Sequence, residues 1–192
     1  RWEPEYSVLP SFDITVNNDL AVENSRLVSA YLAAEPLLKP LLLVIKTWAS
    51  ARKINDRSQG TLSSFALTLM AVSLLQRKCR LPSLQDLGML HGEPRREVLN
   101  VDCRFCTDAR IIEAEKLKLA EGSSSGAPNL GAFLLDFFKF FGDEYKGGAI
   151  SVRSAAGKEP FWASGKFLFV DNPFEPGKDV ANVEVGQHLR VR

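Results

Sequence analysis

The segment KTWASARKINDRSQGTLSSF, residues 46–65, joins two apolar-striped helices through a polar loop. Before it, Leu38, Leu41, Leu42, Ile45 and Trp48 or Ala49 recur at the spacing of one helix face. Lys39, Leu43, Lys46, Ser50 and Lys53 share the opposite face of that helix, which the pattern carries to about Arg52. Residues 55–60 read as loop. Ser63 then caps a helix running from Ser64 to about Gln76, rich in Leu, Met, Ala and Val. Free backbone N–H groups and the helix dipole both favour an anion at such a start. Lys46 beside Ser63 and Ser64 therefore reads as a triphosphate seat. The plainer alternatives are a solvated face for Lys46 and an ordinary cap for Ser63.

The rest of the composition sets bounds. At 192 residues, 45% hydrophobic and 24% charged, the chain has the make-up of a globular domain. A net charge of +1 means that any basic surface for nucleic acid is local. No apolar run approaches the ~18 residues of a membrane span, which argues against a membrane partner. The strongest run, LKPLLLVI, is interrupted by Lys39 and Pro40. The chain opens at Arg1 without Met, signal peptide or transit-like leader, and is expected to be part of a longer protein. Cys79, Cys103 and Cys106 are too few and odd in number for a disulfide framework. They point to a reducing compartment, cytoplasmic with a mitochondrial address left open. Cys103-Arg-Phe-Cys106 has zinc-like spacing, but completing four ligands would require Cys79 with His91 or His188, so free thiols are the better reading.

Along the chain, residues 11–16 (SFDITV) alternate as a strand, and Asn17-Asn18-Asp19 supplies turn and cap chemistry for a helix over 20–32. Pro36 is expected near the first position of the next helix. Pro82 begins a short helix ending near 88–92, residues 93–108 are poorly patterned, and 109–120 can be helical. Residues 122–128 (GSSSGAP) read as a linker or disordered loop. Leu130, Phe133, Leu134, Phe137, Phe138 and Phe141 form a helical stripe that reads as core. Residues 149–153 and 166–170 look like short strands, with turns at Asn172-Pro173 and Pro176-Gly177. There is no internal repeat. The fold class is α+β, mostly α, with few strands.

Four blocks, FDITVNNDLAVENSRLVSAYL, KPLLLVIKTWASARKINDRSQGTLSSFALTLMAVSLLQ, NLGAFLLDFFKFFGDEY and VDNPFEPGKDVAN, stand in this order. Together they resemble the terminal uridylyltransferases and cytoplasmic poly(A) polymerase-like enzymes, of the DNA polymerase β-like nucleotidyltransferase superfamily. The resemblance covers nearly the whole chain. It implies the last strand of a catalytic palm in residues 1–17 and a central helical nucleotide-binding domain in 18–192, with a poly(A)-polymerase-associated segment at about 127–183. It implies addition of UMP, or of AMP or CMP, to RNA 3′ ends by two divalent metals, Mg²⁺ or Mn²⁺. Asp13 matches the third metal-binding carboxylate and is the candidate catalytic and metal residue. From the residues alone it reads as an exposed strand Asp. The paired Asp-x-Asp that should precede it does not occur anywhere in the chain. Gly122 and Gly126 do not replace the Gly-Ser element, because they follow Asp13. The chain alone is thus expected to be inactive, with the missing palm segment supplied in cis or by another chain.

By the same resemblance, Asn24 and Ser25 contact the nucleotide sugar and base, and an amide can read a ribose 2′-hydroxyl. Lys46 matches the phosphate lysine, while Ser50 stands where a second lysine is usual and Lys53 lies on the same face. Ser63 and Ser64 match phosphate contacts. Phe65 stands where Tyr usually stacks under the base, with core packing as its plain alternative. In the late loop Asn172 replaces the usual Asp, Glu175 is retained, and Lys178 stands where uridylyltransferases often carry His. UTP is the first expectation, with ATP or CTP open, and an RNA 3′ end is the acceptor. Arg52, Lys53 and Arg57, and Arg77, Lys78 and Arg80, are candidate RNA contacts or solvated faces. The competing classes are a non-catalytic scaffold binding RNA or protein, and a relative using a small-molecule acceptor.

Overall fold

The computed structural model describes residues 15–56, 59–121, 129–153, 168–181 and 183. The first helix, α1 (Asp19–Ala34), starts where the Asn18 side chain accepts from the Ala21 N–H at 3.3 Å. It buries Glu23, Leu27 and Tyr31, three positions on one stripe. Pro36 stops it and lies in the turn before α2 (Leu38–Ala51) rather than at that helix's first position. Pro40 is tolerated because the first turn of a helix has no intrahelical acceptor for its N–H groups. α2 buries Leu38, Leu41, Leu42, Ile45 and Ala49, the stripe expected from their spacing.

α3 (Ser64–Arg77) is the central element. Every residue from Ala66 to Gln76 is buried, as a helix apolar on all sides requires. α2 packs on it, as do α5 (Leu130–Lys139) and the parallel pair β3 (Ala149–Ile150) and β4 (Phe169–Val170). β3 and β4 pair with Ala149 opposite Phe169 and Ile150 opposite Val170. Asn129 caps α5 by accepting from Gly131 and Ala132. Phe133 and Phe137 are buried, with Leu134, Phe138 and Phe141 packed against the core. The helix then widens into a π turn, Phe140–Glu144, closed by Tyr145 N–H to Phe140 O at 2.7 Å.

Two expectations change. The short helix from Pro82 is instead a run of turns, in which Asp86 N–H bonds Ser83 O and Met89 and Leu90 N–H bond Asp86 O. The poorly patterned 93–108 stretch contains a hairpin, β1 (Glu97–Val98) with β2 (Val101–Asp102). Its turn residues Leu99 and Asn100 have φ of 52° and 64°, as a two-residue type I′ turn demands. α4 (Ala109–Glu121) follows and places the Lys116 ammonium on Ala34 O at 2.6 Å, at the negative end of α1.

A buried polar hub fixes α1 to α3. The Tyr31 hydroxyl donates to Val152 O at 3.4 Å and accepts from Gln76 Nε2 and Leu84 N–H, both at 3.3 Å. Ser83 Oγ also donates to Val152 O at 2.8 Å. Burial holds the Tyr31 phenol well above its ordinary pKa, so it stays protonated and can donate. Of the expected strand at 11–16, only Thr15 and Val16 are described, and both are irregular. Asp13 and the rest of the expected palm strand lie outside the described residues, as do Arg57, residues 122–128, and Lys166 with Phe167 of the expected late strand. Among the described residues no helix is long and apolar enough to cross a membrane.

Candidate nucleotide site

At the start of α3 the Ser63 hydroxyl accepts from Ala66 N–H at 2.9 Å and donates to Val180 O at 3.0 Å. Its lone pair and its proton are thus both engaged inside the fold. Ser64, one residue on, is exposed, and its hydroxyl is held by the Asn55 side-chain amide at 3.1–3.2 Å. The backbone N–H groups of this first helical turn have no intrahelical acceptor, apart from those the cap satisfies. Phe65 is half-buried and packed against the core.

α2 ends beside this step. Its last turn closes with Lys53 N–H to Ser50 O and Ile54 N–H to Ala49 O, each at 3.0 Å. Lys53 takes the left-handed φ of 55° that glycine usually supplies at such a stop. A cavity of about 460 Å³ opens there, lined by Ser50, Lys53, Asn55, Asp56 and Gln59. Because Asn55 also holds Ser64, the cavity adjoins the α3 start. Two turns back along α2, Lys46 is half-buried. Burial alone moves its pKa, below the ordinary 10.5, and no carboxylate among the described residues offsets it.

Asn24 lies on α1 and is half-buried, with its Oδ1 buried and without a hydrogen-bond partner among the described residues. Ser25 is exposed and its hydroxyl donates back to Ala21 O at 2.9 Å. No hydrogen bond among the described residues joins Asn24 or Lys46 to the other candidates.

The late loop is a closed unit. Asp171 is buried and accepts from Gly177 N–H at 2.7 Å and from Ser151 Oγ at 3.2 Å. Burial pushes its carboxyl pKa up. Asn172, 5% exposed, accepts from Phe174 and Glu175 N–H at 3.0 and 3.3 Å and donates to Glu175 Oε2 at 3.0 Å. Its amide therefore builds the loop. Lys178 bonds both Glu175 oxygens at 3.0 and 2.9 Å, leaving this exposed ammonium as the loop's outward charge. Asp179 Oδ1 accepts from Val170 and Ala181 N–H, at 3.1 and 2.9 Å, and Val180 N–H bonds Val170 O at 2.8 Å. Val180 O then receives the Ser63 hydroxyl. The loop carrying Asn172, Glu175 and Lys178 is thereby docked on the helix start carrying Ser63, Ser64 and Phe65.

Of the second basic cluster, Arg77 lies over the Phe140 ring at 5.2 Å and Lys78 pairs with Asp136 at 3.1 Å, so both serve the α3–α5 packing. Arg52 and Lys53 are exposed. Cys103 and Cys106 are buried free thiols whose pKa values burial raises. Asn55 and Val180 escaped the reading of the sequence. Asn55 was legible only as part of the loop, and a backbone carbonyl leaves no residue signature.

No family model matches the chain. Curated proteins do match it. Poly(A) RNA polymerase cid13 of Schizosaccharomyces pombe is 30% identical over 191 residues, which is 94% of this chain and 31% of the relative. Poly(A) RNA polymerase GLD2 of Homo sapiens is 34% identical over 174 residues, 85% of this chain and 33% of the relative. The fold superposes on a cytoplasmic RNA terminal U-transferase with a TM-score of 0.71 at 29% identity, over 88% of this chain and 53% of that one. The family is that of the terminal uridylyltransferases and cytoplasmic poly(A) polymerase-like proteins. The chain spans about a third of the length of these curated family members. Within the same family, Cid1 bound to the UTP analogue UMPNPP superposes with a TM-score of 0.70 at 27% identity, over 88% of this chain and 54% of that one. Family structures also include Cid1 with Mg and 3′-dATP. Among the described residues of this family member, no group of three or more His, Cys, Asp or Glu side chains could hold a metal ion.

Proposed function

We propose that this chain is the nucleotide-holding part of an RNA 3′-terminal nucleotidyltransferase, taking NTPs and an RNA 3′ end. The observation that carries the reading is Lys46, a half-buried ammonium with no carboxylate beside it among the described residues, on the helix that ends at the α3 start. A triphosphate would supply the missing counter-charge. The first-turn N–H groups of α3 would add donors, as would the Ser64 hydroxyl on exchanging its Asn55 partner for phosphate, and the half-buried Phe65 ring a face for the base. Asn24 would meet the ribose, with Ser25 beside it. Glu175 and Lys178 would face the base edge, while Ser63 and Asn172 hold the frame.

In transfer, the RNA 3′-oxygen would bond to the α-phosphorus and pyrophosphate would leave. A divalent ion, Mg²⁺ or Mn²⁺, would supply Lewis-acid chemistry through Asp13 and two further carboxylates. This chain has no Asp-x-Asp pair, so those two come from a palm segment in cis or in another chain. UTP is the first candidate donor, and the cytoplasm the proposed compartment. The test is extension of an RNA primer by the full-length protein with each NTP and Mg²⁺ or Mn²⁺. Extension is expected; no extension with any NTP would remove the enzyme reading in favour of a non-catalytic scaffold.

A further inference from the structure

Glu23 is a carboxylate in the middle of α1 with a side chain only 3% exposed, and it immediately precedes Asn24. Arg96 reaches it from a position 73 residues away, Nε donating to Oε2 at 2.6 Å and Nη2 to Oε1 at 2.5 Å. Both carboxylate oxygens are thus gripped in the fork geometry peculiar to arginine. Arg26 adds a longer contact at 3.5 Å. Arg96 does not hang on a loose loop. It sits at the foot of the β1–β2 hairpin, where its carbonyl accepts from Cys103 N–H at 2.9 Å and the tight turn fixes the register.

Consecutive residues share the rigid helix backbone, so a grip on both oxygens of Glu23 fixes the rotation of α1 and with it the direction in which the Asn24 Cα–Cβ bond leaves the helix. The Asn24 Oδ1 is buried and has no donor among the described residues. A ribose hydroxyl is a donor of the kind that atom lacks. We propose that Arg96, through its two-point bond to Glu23, is a positioning residue that aims Asn24 at the nucleotide ribose and so sets the preference for NTP over dNTP. The inference rests on the reading of Asn24 as the ribose contact.

The test is RNA primer extension by the full-length protein, comparing kcat/KM for an NTP and its 2′-deoxy form in Asn24→Ala, Glu23→Gln and Arg96→Lys. Thermal midpoints are measured alongside. Asn24→Ala is expected to lower the NTP/dNTP ratio by roughly five- to tenfold, the worth of about one hydrogen bond. Glu23→Gln and Arg96→Lys are expected to lower the same ratio in the same direction. Arg96→Lys keeps the charge and removes only the fork, so it remains informative if Glu23→Gln folds poorly. If both leave the ratio unchanged while Asn24→Ala lowers it, or reduce turnover with NTP and dNTP equally, the pair is merely structural and the proposal falls. If Asn24→Ala itself leaves the ratio unchanged, the ribose reading fails and the positioning role goes with it.

Discussion

The Ser63 hydroxyl donates to the Val180 carbonyl across 117 residues of chain, at 3.0 Å, while capping α3 through Ala66 N–H. One side chain thus sets both the first turn of α3 and the seat of the 171–181 loop. Ser63→Ala removes the cap and leaves Val180 O without that donor. A stability loss of roughly 0.5–2 kcal/mol is expected from the cap alone. Thermal or denaturant unfolding measures it, and hydrogen exchange should show the late loop opening more readily than in the unaltered protein. Equal protection of that loop would mean that the Val180 contact does not hold it.

The Tyr31 hub is expected to matter more for folding than for binding. Tyr31→Phe keeps the ring but leaves Leu84 N–H without that acceptor and removes a partner from Gln76 and Val152 O. Each buried group left unsatisfied costs about 1–3 kcal/mol. The midpoint of denaturant unfolding should fall, with little change in NTP affinity for the folded fraction. Weakened affinity at full folding would tie the hub to the site.

The helices around the site were legible because their signals are local. The α2 stripe and the Ser63 cap predict α2 and α3 to within a residue or two at each end, since a buried face and a polar start each leave a pattern in sequence. The β1–β2 hairpin was not legible. Its strands are two residues long, too short to alternate, and its turn is Leu99-Asn100 rather than a glycine pair. The π turn after Lys139 was hidden too, because Phe140 and Phe141 continue the apolar run through it. In the late loop the residue types were plain but their partners were not. Whether Asn172 turns outward or inward depends on Phe174 and Glu175 N–H, which carry no residue signature. The Glu23–Arg96 grip spans 73 positions, beyond any periodic pattern.

Base choice should respond to Lys178. Its ammonium lies on both Glu175 oxygens, so it both shields that carboxylate and presents donors. Lys178→His withdraws the fixed positive charge, frees Glu175 and offers an imidazole that can donate. The UTP/ATP ratio of kcat/KM in primer extension is expected to rise, by roughly three- to tenfold for one exchanged hydrogen bond. An unchanged ratio would take the loop out of the specificity argument.

Lys46 carries the sharpest prediction, because its environment sets a sign. Burial favours its neutral form, so its pKa in the free protein is below the 10.5 of an exposed lysine. While it is charged, that charge opposes folding. The penalty fades as pH rises through the lowered folded pKa towards the unfolded value. Lys46→Ala should therefore leave the thermal midpoint equal or higher while weakening NTP binding. A bound triphosphate reverses the preference, favouring the charged form and raising the pKa. By linkage, NTP affinity must fall as pH rises through the free-state pKa, earlier than an ordinary lysine would cause. An adenine nucleotide isolates the effect, since its base keeps its charge over this range. Titrations carried alkaline from neutral pH should show the decline in the unaltered protein below the 10.5 of an ordinary lysine. Lys46→Arg, charged throughout, should flatten it while retaining binding. Unchanged affinity in Lys46→Ala, or the same alkaline decline in Lys46→Arg, would return Lys46 to a solvated helix face.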